Sequence, residues 1–99
     1  MTKAQVIAEI SHKTGVEKLT VLETVEAFMN VIKNNMVDGK NVYLRGFGSF
    51  IVKKRAAKKG RNITKNTTVL IPEHCIPAFK PARPFVQRVK HGNTPRKAE

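Results

Sequence analysis

Between Lys53 and Ile71 stand seven cations and no carboxylate: Lys53, Lys54, Arg55, Lys58, Lys59, Arg61 and Lys65. Side chains of this type at this density neutralise the closely spaced phosphates of a polyanion. Arg61 is the best suited to enter a narrow groove, where negative potential is concentrated and guanidinium is favoured. A merely solvated face is the ordinary alternative for a charge run, and the lack of any anion in this one weighs against it. Nothing comparable points to catalysis. His74-Cys75 is the one close His and Cys pair, and His12 and His91 add no ligands at zinc spacing. Adjacent strand residues also point to opposite faces, so a base beside the thiol is not provided. With no paired carboxylates, phosphate loop or Ser-His-Asp set, the chain is read as a non-enzyme with no metal site and no cofactor.

The charge is lopsided. Residues 1–39 carry 4 basic and 5 acidic side chains, a balance of −1, whereas residues 40–99 carry 15 and 2, a balance of +13. The two parts therefore have different jobs, and nucleic acid, an anionic membrane or an acidic protein are the candidate partners of the second, membrane the weakest of the three. No apolar run approaches the ~20 residues needed to span a bilayer, and the amino terminus lacks a signal-peptide pattern. A cytoplasmic, nucleoid-associated protein is expected, and the single cysteine, Cys75, fits a reducing compartment.

The elements that must hold these cations follow in order. Thr2 and Gln5 form a capping-box pattern ahead of Val6, Ile7 and Ile10, and Gly15 ends that helix. A second helix runs from Lys18 to Asp38, with Glu17 before it and Gly39 beyond. Its residues Leu22, Val25, Met29, Ile32 and Met36 make one stripe, which Val21, Phe28 and Val31 widen past what one short helix and a small sheet can cover. A homodimer follows, with Leu22, Val25, Phe28, Met29 and Ile32 at its interface; an intramolecular core is the alternative.

After Gly39 the pattern turns to strand. Val42 and Leu44 alternate with Tyr43 and Arg45, Gly46-Phe47-Gly48 turns, and Phe50 and Val52 resume the alternation. The second strand continues into a long two-stranded arm, about residues 53–72, which Gly60, Asn62 and Asn66 are suited to reverse. Thr67 to Ile71 returns, Pro72 and Pro77 mark edges or bulges, and Ile76 to Lys80 brings Phe79 home. Leu44, Val52, Ile76 and Ala78 are read as one apolar inner face. Phe28, Phe47, Phe50, Phe79 and Phe85 are read as core rather than as a base-stacking platform, with Phe47, Phe50 and Phe79 also assigned to the dimer interface. A short helix over about 84–91 has Pro84 in its first turn and Gly92 beyond it. The expected organisation is one α+β domain over residues 1–91, with a helical base (2–39), a sheet with its arm (40–81) and a flexible tail (92–99).

The two amino-terminal helices, the hairpin Val42-Tyr43-Leu44-Arg45-Gly46-Phe47-Gly48-Ser49-Phe50, the arm Arg55-Ala56-Ala57-Lys58-Lys59-Gly60-Arg61-Asn62 and the return Ile76-Pro77-Ala78-Phe79-Lys80-Pro81 together resemble the bacterial HU and integration host factor family, over residues 1 to about 91. The resemblance implies an intertwined dimer with a helical base, an antiparallel β-sheet saddle and protruding ribbon arms that reach double-stranded DNA through the minor groove and bend or compact it. The partner is a second copy or a paralogue, and no small molecule or membrane is implied. The arm cations and Asn62 then lie along DNA. Lys80, Arg83, Lys3, Gly46 and Gly48 contact it from the body, and Lys3 pairs with Glu26. Where the family has a wedge proline at the arm tip, this chain has Ile63, large and apolar enough to enter a base step. Asn66 stands for a glycine, Thr67 and Thr68 for acidic residues, and Ala82 for a glycine before the last helix. A site-specific bender of the integration host factor kind and an RNA-binding or ribosome-associated protein are the alternatives.

Overall fold

The computed structural model describes residues 1–62 and 67–93. Helix α1 (Lys3–Thr14) begins on the capping box: Thr2 Oγ1 accepts from the Gln5 amide at 3.3 Å and Gln5 Oε1 accepts from the Thr2 amide at 2.7 Å. It ends at Gly15, whose φ of 73° is left-handed. The turn that follows is stapled by Ser11 Oγ donating to Val16 O at 2.6 Å. Helix α2 (Lys18–Val37) starts at Glu17, whose side chain makes no capping hydrogen bond. Glu17 therefore acts on the helix end through its charge alone.

Among the described residues, the buried apolar side chains are Ile7, Val21 and Ile32. Val21, expected to widen the stripe of α2, is instead the most buried of them at 4 % exposure, beside Ile10 and Val16 in the crevice between the helices. Phe28, expected in the core, is 50 % exposed, and Val31 58 %. The reason is coverage: α1 and the sheet reach only one side of a stripe that runs roughly half-way round α2. The radius of gyration is 19.2 Å, against about 13 Å for a compact domain of this length. The separate β-ribbon contributes to that difference, and with three apolar side chains buried among the described residues one chain encloses little core.

Strands β1 (Val42–Leu44), β2 (Gly48–Arg55) and β5 (His74–Pro81) form an antiparallel sheet in the order β1-β2-β5, and β3 (Lys58–Asn62) pairs with β4 (Thr67–Ile71) in a second. The register runs from Gly48↔Pro81 to Arg55↔His74 and resumes unchanged from Lys58↔Ile71 to Asn62↔Thr67. The arm is thus not one uninterrupted ribbon. Ala56 and Ala57 face Glu73 and Pro72 without ladder pairing, because Pro72 has no amide proton and its carbonyl lies 2.9 Å from His74 Nδ1. Pro77 sits on an outer strand of the sheet, as a proline must. Gly60, expected to help reverse the chain, is instead inside β3 opposite Val69, where a side chain would crowd Ile71 Cδ1 at 3.1 Å. Asn66 lies outside the described residues.

Partners in an antiparallel ladder share a face, and neighbours along a strand alternate. Val42, Leu44, Gly48, Phe50, Val52, Pro77 and Phe79 therefore occupy one face of the sheet, and Tyr43, Ser49, Ile51, Ile76 and Ala78 the other. The single apolar face expected from Leu44, Val52, Ile76 and Ala78 does not exist: the first two and last two are on opposite sides. Aromatic rings fill the first face instead. Phe50 and Phe79 are 4.9 Å apart, Phe47 reaches Phe79 at 5.3 Å, and Phe47 stacks on Phe85 at 5.3 Å. Phe85 belongs to helix α3 (Arg83–Gly92), which has a proline in its first turn and runs one residue past the expected end, so that Gly92 is its last residue. Within the expected tail, residues 94–99 lie outside the described residues.

Candidate nucleic-acid interface

The alternation that divides the apolar residues also sorts the cations. Lys53, Arg55 and Lys80 fall on the face with Ser49, Ile51 and Ala78, while Lys54 falls on the face with Phe50 and Phe79. Lys53 and Arg55 are two residues apart on one strand, about 6.6 Å, and Lys80 stands across the ladder from Ser49. All three are exposed. The result is a cationic face backed by an aromatic one, which no reading of a charge run by itself provides.

The arm continues this surface. Lys58 and Lys59 are exposed on β3, next to Arg61 and Asn62 in the same strand. Ile63 and Lys65 lie outside the described residues. On β4, Val69 and Leu70 are exposed, Leu70 at 68 %, so neither is covered by the opposing strand. Lys54 is engaged differently from its neighbours: its Nζ lies 3.1 Å from Glu73 Oε1.

The two glycines of the hairpin turn serve different needs. Gly46 has φ 80°, a conformation that a side chain disfavours, with open space where its Cβ would be. Gly48 has ordinary backbone geometry but no room: a Cβ there would meet the Phe79 ring and the Lys80 carbonyl oxygen. The Phe47 amide closes the turn on Leu44 O at 3.0 Å, and the Ala82 amide donates to Phe47 O at 2.9 Å, which fixes the turn to the start of α3. A shallow notch of about 330 Å³ opens here, lined by Tyr43, Arg45, Gly46, Ser49, Lys80 and Ala82. Ala82 caps α3 without a side-chain hydrogen bond, so no side chain of the cap offsets the partial positive charge of the helix end, which follows Lys80 closely in the chain. Arg83 begins the same helix. Arg45 was not among the residues expected to bind; its place beside the glycine turn was the available signal.

Lys3 is 51 % exposed and paired with Glu26 through its Nζ, linking the first turn of α1 to the middle of α2. That hydrogen bond, then the charge of Lys3 and more weakly that of Lys33, hold the Glu26 carboxyl below the usual carboxylate range against a small opposing effect of burial. Of the residues expected at a dimer interface, Ile32 is already buried by its own chain. Leu22, Val25, Met29 and Phe50 are half-buried, and Phe28, Phe47 and Phe79 are exposed. No group of three or more His, Cys, Asp or Glu able to hold a metal ion occurs among the described residues, and none of the described helices is long and apolar enough to cross a membrane.

With this geometry in place, the chain belongs to the family of bacterial DNA-binding proteins, whose pattern it matches over residues 1–90. It is similar to the SPbeta prophage-derived DNA-binding protein HU 2 of Bacillus subtilis, 39 % identical over 90 residues that cover 91 % of this chain and 98 % of that one. It is also 36 % identical to the DNA-binding protein HU of Thermotoga maritima, over 91 % of this chain and all of the relative. Among solved structures, an Anabaena HU–DNA cocrystal structure superposes with a TM-score of 0.88 at 31 % identity, covering 91 % of this chain and 98 % of that one. The fold is therefore the HU-like α+β fold, and the family is one of DNA-binding proteins rather than enzymes.

Proposed function

We propose that two copies of this chain form an architectural protein of the bacterial nucleoid, which binds duplex DNA with little sequence preference and bends or compacts it. The observation that carries this reading is the sorting of side chains across one sheet. Lys53, Arg55 and Lys80 occupy one face, which leads into the basic arm, while the opposite face presents exposed Phe47 and Phe79. A second copy covers the aromatic face and the uncovered side of α2 with Phe28, which leaves both cationic faces turned the same way. The arms then follow the minor groove, where base edges distinguish little beyond A·T from G·C, so affinity rests on phosphate and shape.

The test is a gel-shift series on linear, nicked and four-way DNA at two salt concentrations, with structured RNA as competitor. The expected result is binding to all the DNA forms that weakens by orders of magnitude between about 50 and 200 mM salt, as counterion release from several phosphate contacts requires. An affinity indifferent to salt would defeat the electrostatic account. Preference for structured RNA would replace it with an RNA-binding function, and sharp sites in a genome-wide binding profile with a site-specific bender.

A further inference from the structure

Glu73 is the single carboxylate between residues 40 and 98, in a stretch that otherwise carries only positive charge. It sits where the sheet is interrupted, opposite Ala56, in the unpaired step between the β2/β5 ladder and the β3/β4 ladder. Among the described residues its one ion pair runs back to the body: Lys54, whose own ladder partner is Cys75, reaches diagonally to Glu73 at 3.1 Å. Diagonal neighbours on one face of an antiparallel pair are within reach of long side chains, so the contact needs no distortion of either strand. The pair thus spans the one place where backbone hydrogen bonds do not hold the arm to the body.

We propose that Glu73 is a positioning residue that latches the arm through Lys54 in the free protein, and that a DNA phosphate takes Lys54 from it on binding. The inference rests on the DNA-binding reading above. The side chains of Lys54 and Glu73 are 68 % and 57 % exposed, so the pair is weak, screened by salt and open to competition from a polyanion. With unchanged register on both sides, release of the pair lets Ala56-Ala57 and Pro72-Glu73 adjust as a hinge without any strand slipping. The arm is then free to adjust to the groove that it enters.

The test is a double-mutant cycle of Glu73→Gln and Lys54→Met in the full chain, read by DNA affinity at low and moderate salt and by ¹⁵N relaxation of the Ala56 and Ala57 amides without DNA. Glu73→Gln is expected to tighten binding about two- to fivefold at low salt, the range of an exposed ion pair, and less at moderate salt. The gain should vanish when Lys54→Met is already present. Both single variants should loosen the two alanine amides alike. A gain that persists without Lys54 would reduce Glu73 to simple charge repulsion and overturn the latch. So would unchanged affinity in Glu73→Gln, or unchanged order at Ala56 and Ala57. If the unmodified chain binds no DNA, the functional reading fails, and the relaxation measurement still decides whether the pair holds the hinge.

Discussion

A Cβ placed on Gly48 would stand 2.6 Å from the ring carbons Cε1 and Cζ of Phe79 and 2.8 Å from the carbonyl oxygen of Lys80. The ring is packed against Phe47 and Phe50 and the carbonyl is backbone of a paired strand, so neither yields cheaply. Gly48→Ala should cost about 1–3 kcal/mol by overpacking. Gly46→Asn should be milder, within about 1 kcal/mol, because Gly46 needs only positive φ, which asparagine tolerates, and has open space around it. Urea unfolding of both variants at equal protein concentration checks this; equal losses would contradict the steric account of Gly48.

The cations should not be interchangeable. Lys53→Ala and Arg55→Ala each remove a charge from the proposed DNA face and should lower the slope of log affinity against log salt by about 0.9. Lys54→Ala should lower affinity less, since Lys54 is on the aromatic side of the sheet and any phosphate contact it makes comes at the expense of its pair with Glu73. Affinities of the three variants at one low salt concentration discriminate; equal losses would mean that position in the run, not face, decides.

Phe28 is half exposed on its own chain, so a polar side chain there disturbs the chain's own packing less than it disturbs the proposed interface. Phe28→Lys should therefore act mainly on association, shifting the mass measured by sedimentation equilibrium from dimer towards monomer. An unchanged dimer mass would remove Phe28 from the interface.

The pairing of Glu26 with Lys3 has a defined pH sign. The folded-state pKa of Glu26 is depressed, so the stabilisation is complete above the ordinary carboxylate range and is lost as pH falls through the folded value. Lys3→Met should raise the titration midpoint of the Glu26 carboxyl, followed by NMR, towards the ordinary carboxylate range. A midpoint that does not move would assign the shift to other causes.

Ile63→Ala tests the tip of the arm. If Ile63 is the wedge that opens a base step, the variant should bend DNA less by energy-transfer measurement while its affinity, set by the arm cations, falls only modestly. An unchanged bend would exclude Ile63 from the deformation.

Much of the chain was legible because its signals are local. The Thr2/Gln5 capping box, the left-handed Gly15 and Gly46, and Pro84 in the first turn of α3 are each set by residues a few positions apart. Gly60 misled for the same reason: freedom of φ is only one use of a glycine, and here Gly60 lies within β3 close against the Ile71 side chain. The arm's break was half visible in Pro72, but the part of Glu73 and Lys54 depended on a register that composition does not state.

What the sequence determined by itself was the kind of partner, since a balance of +13 over residues 40–99 acts at long range and survives any arrangement of the chain. What only the tertiary structure decided was which charges and rings act together. A one-residue change of register would exchange the two faces of β5, so the joining of Lys80 to Lys53 and Arg55, and of Phe79 to Phe50, is a property of the paired strands and not of either strand alone.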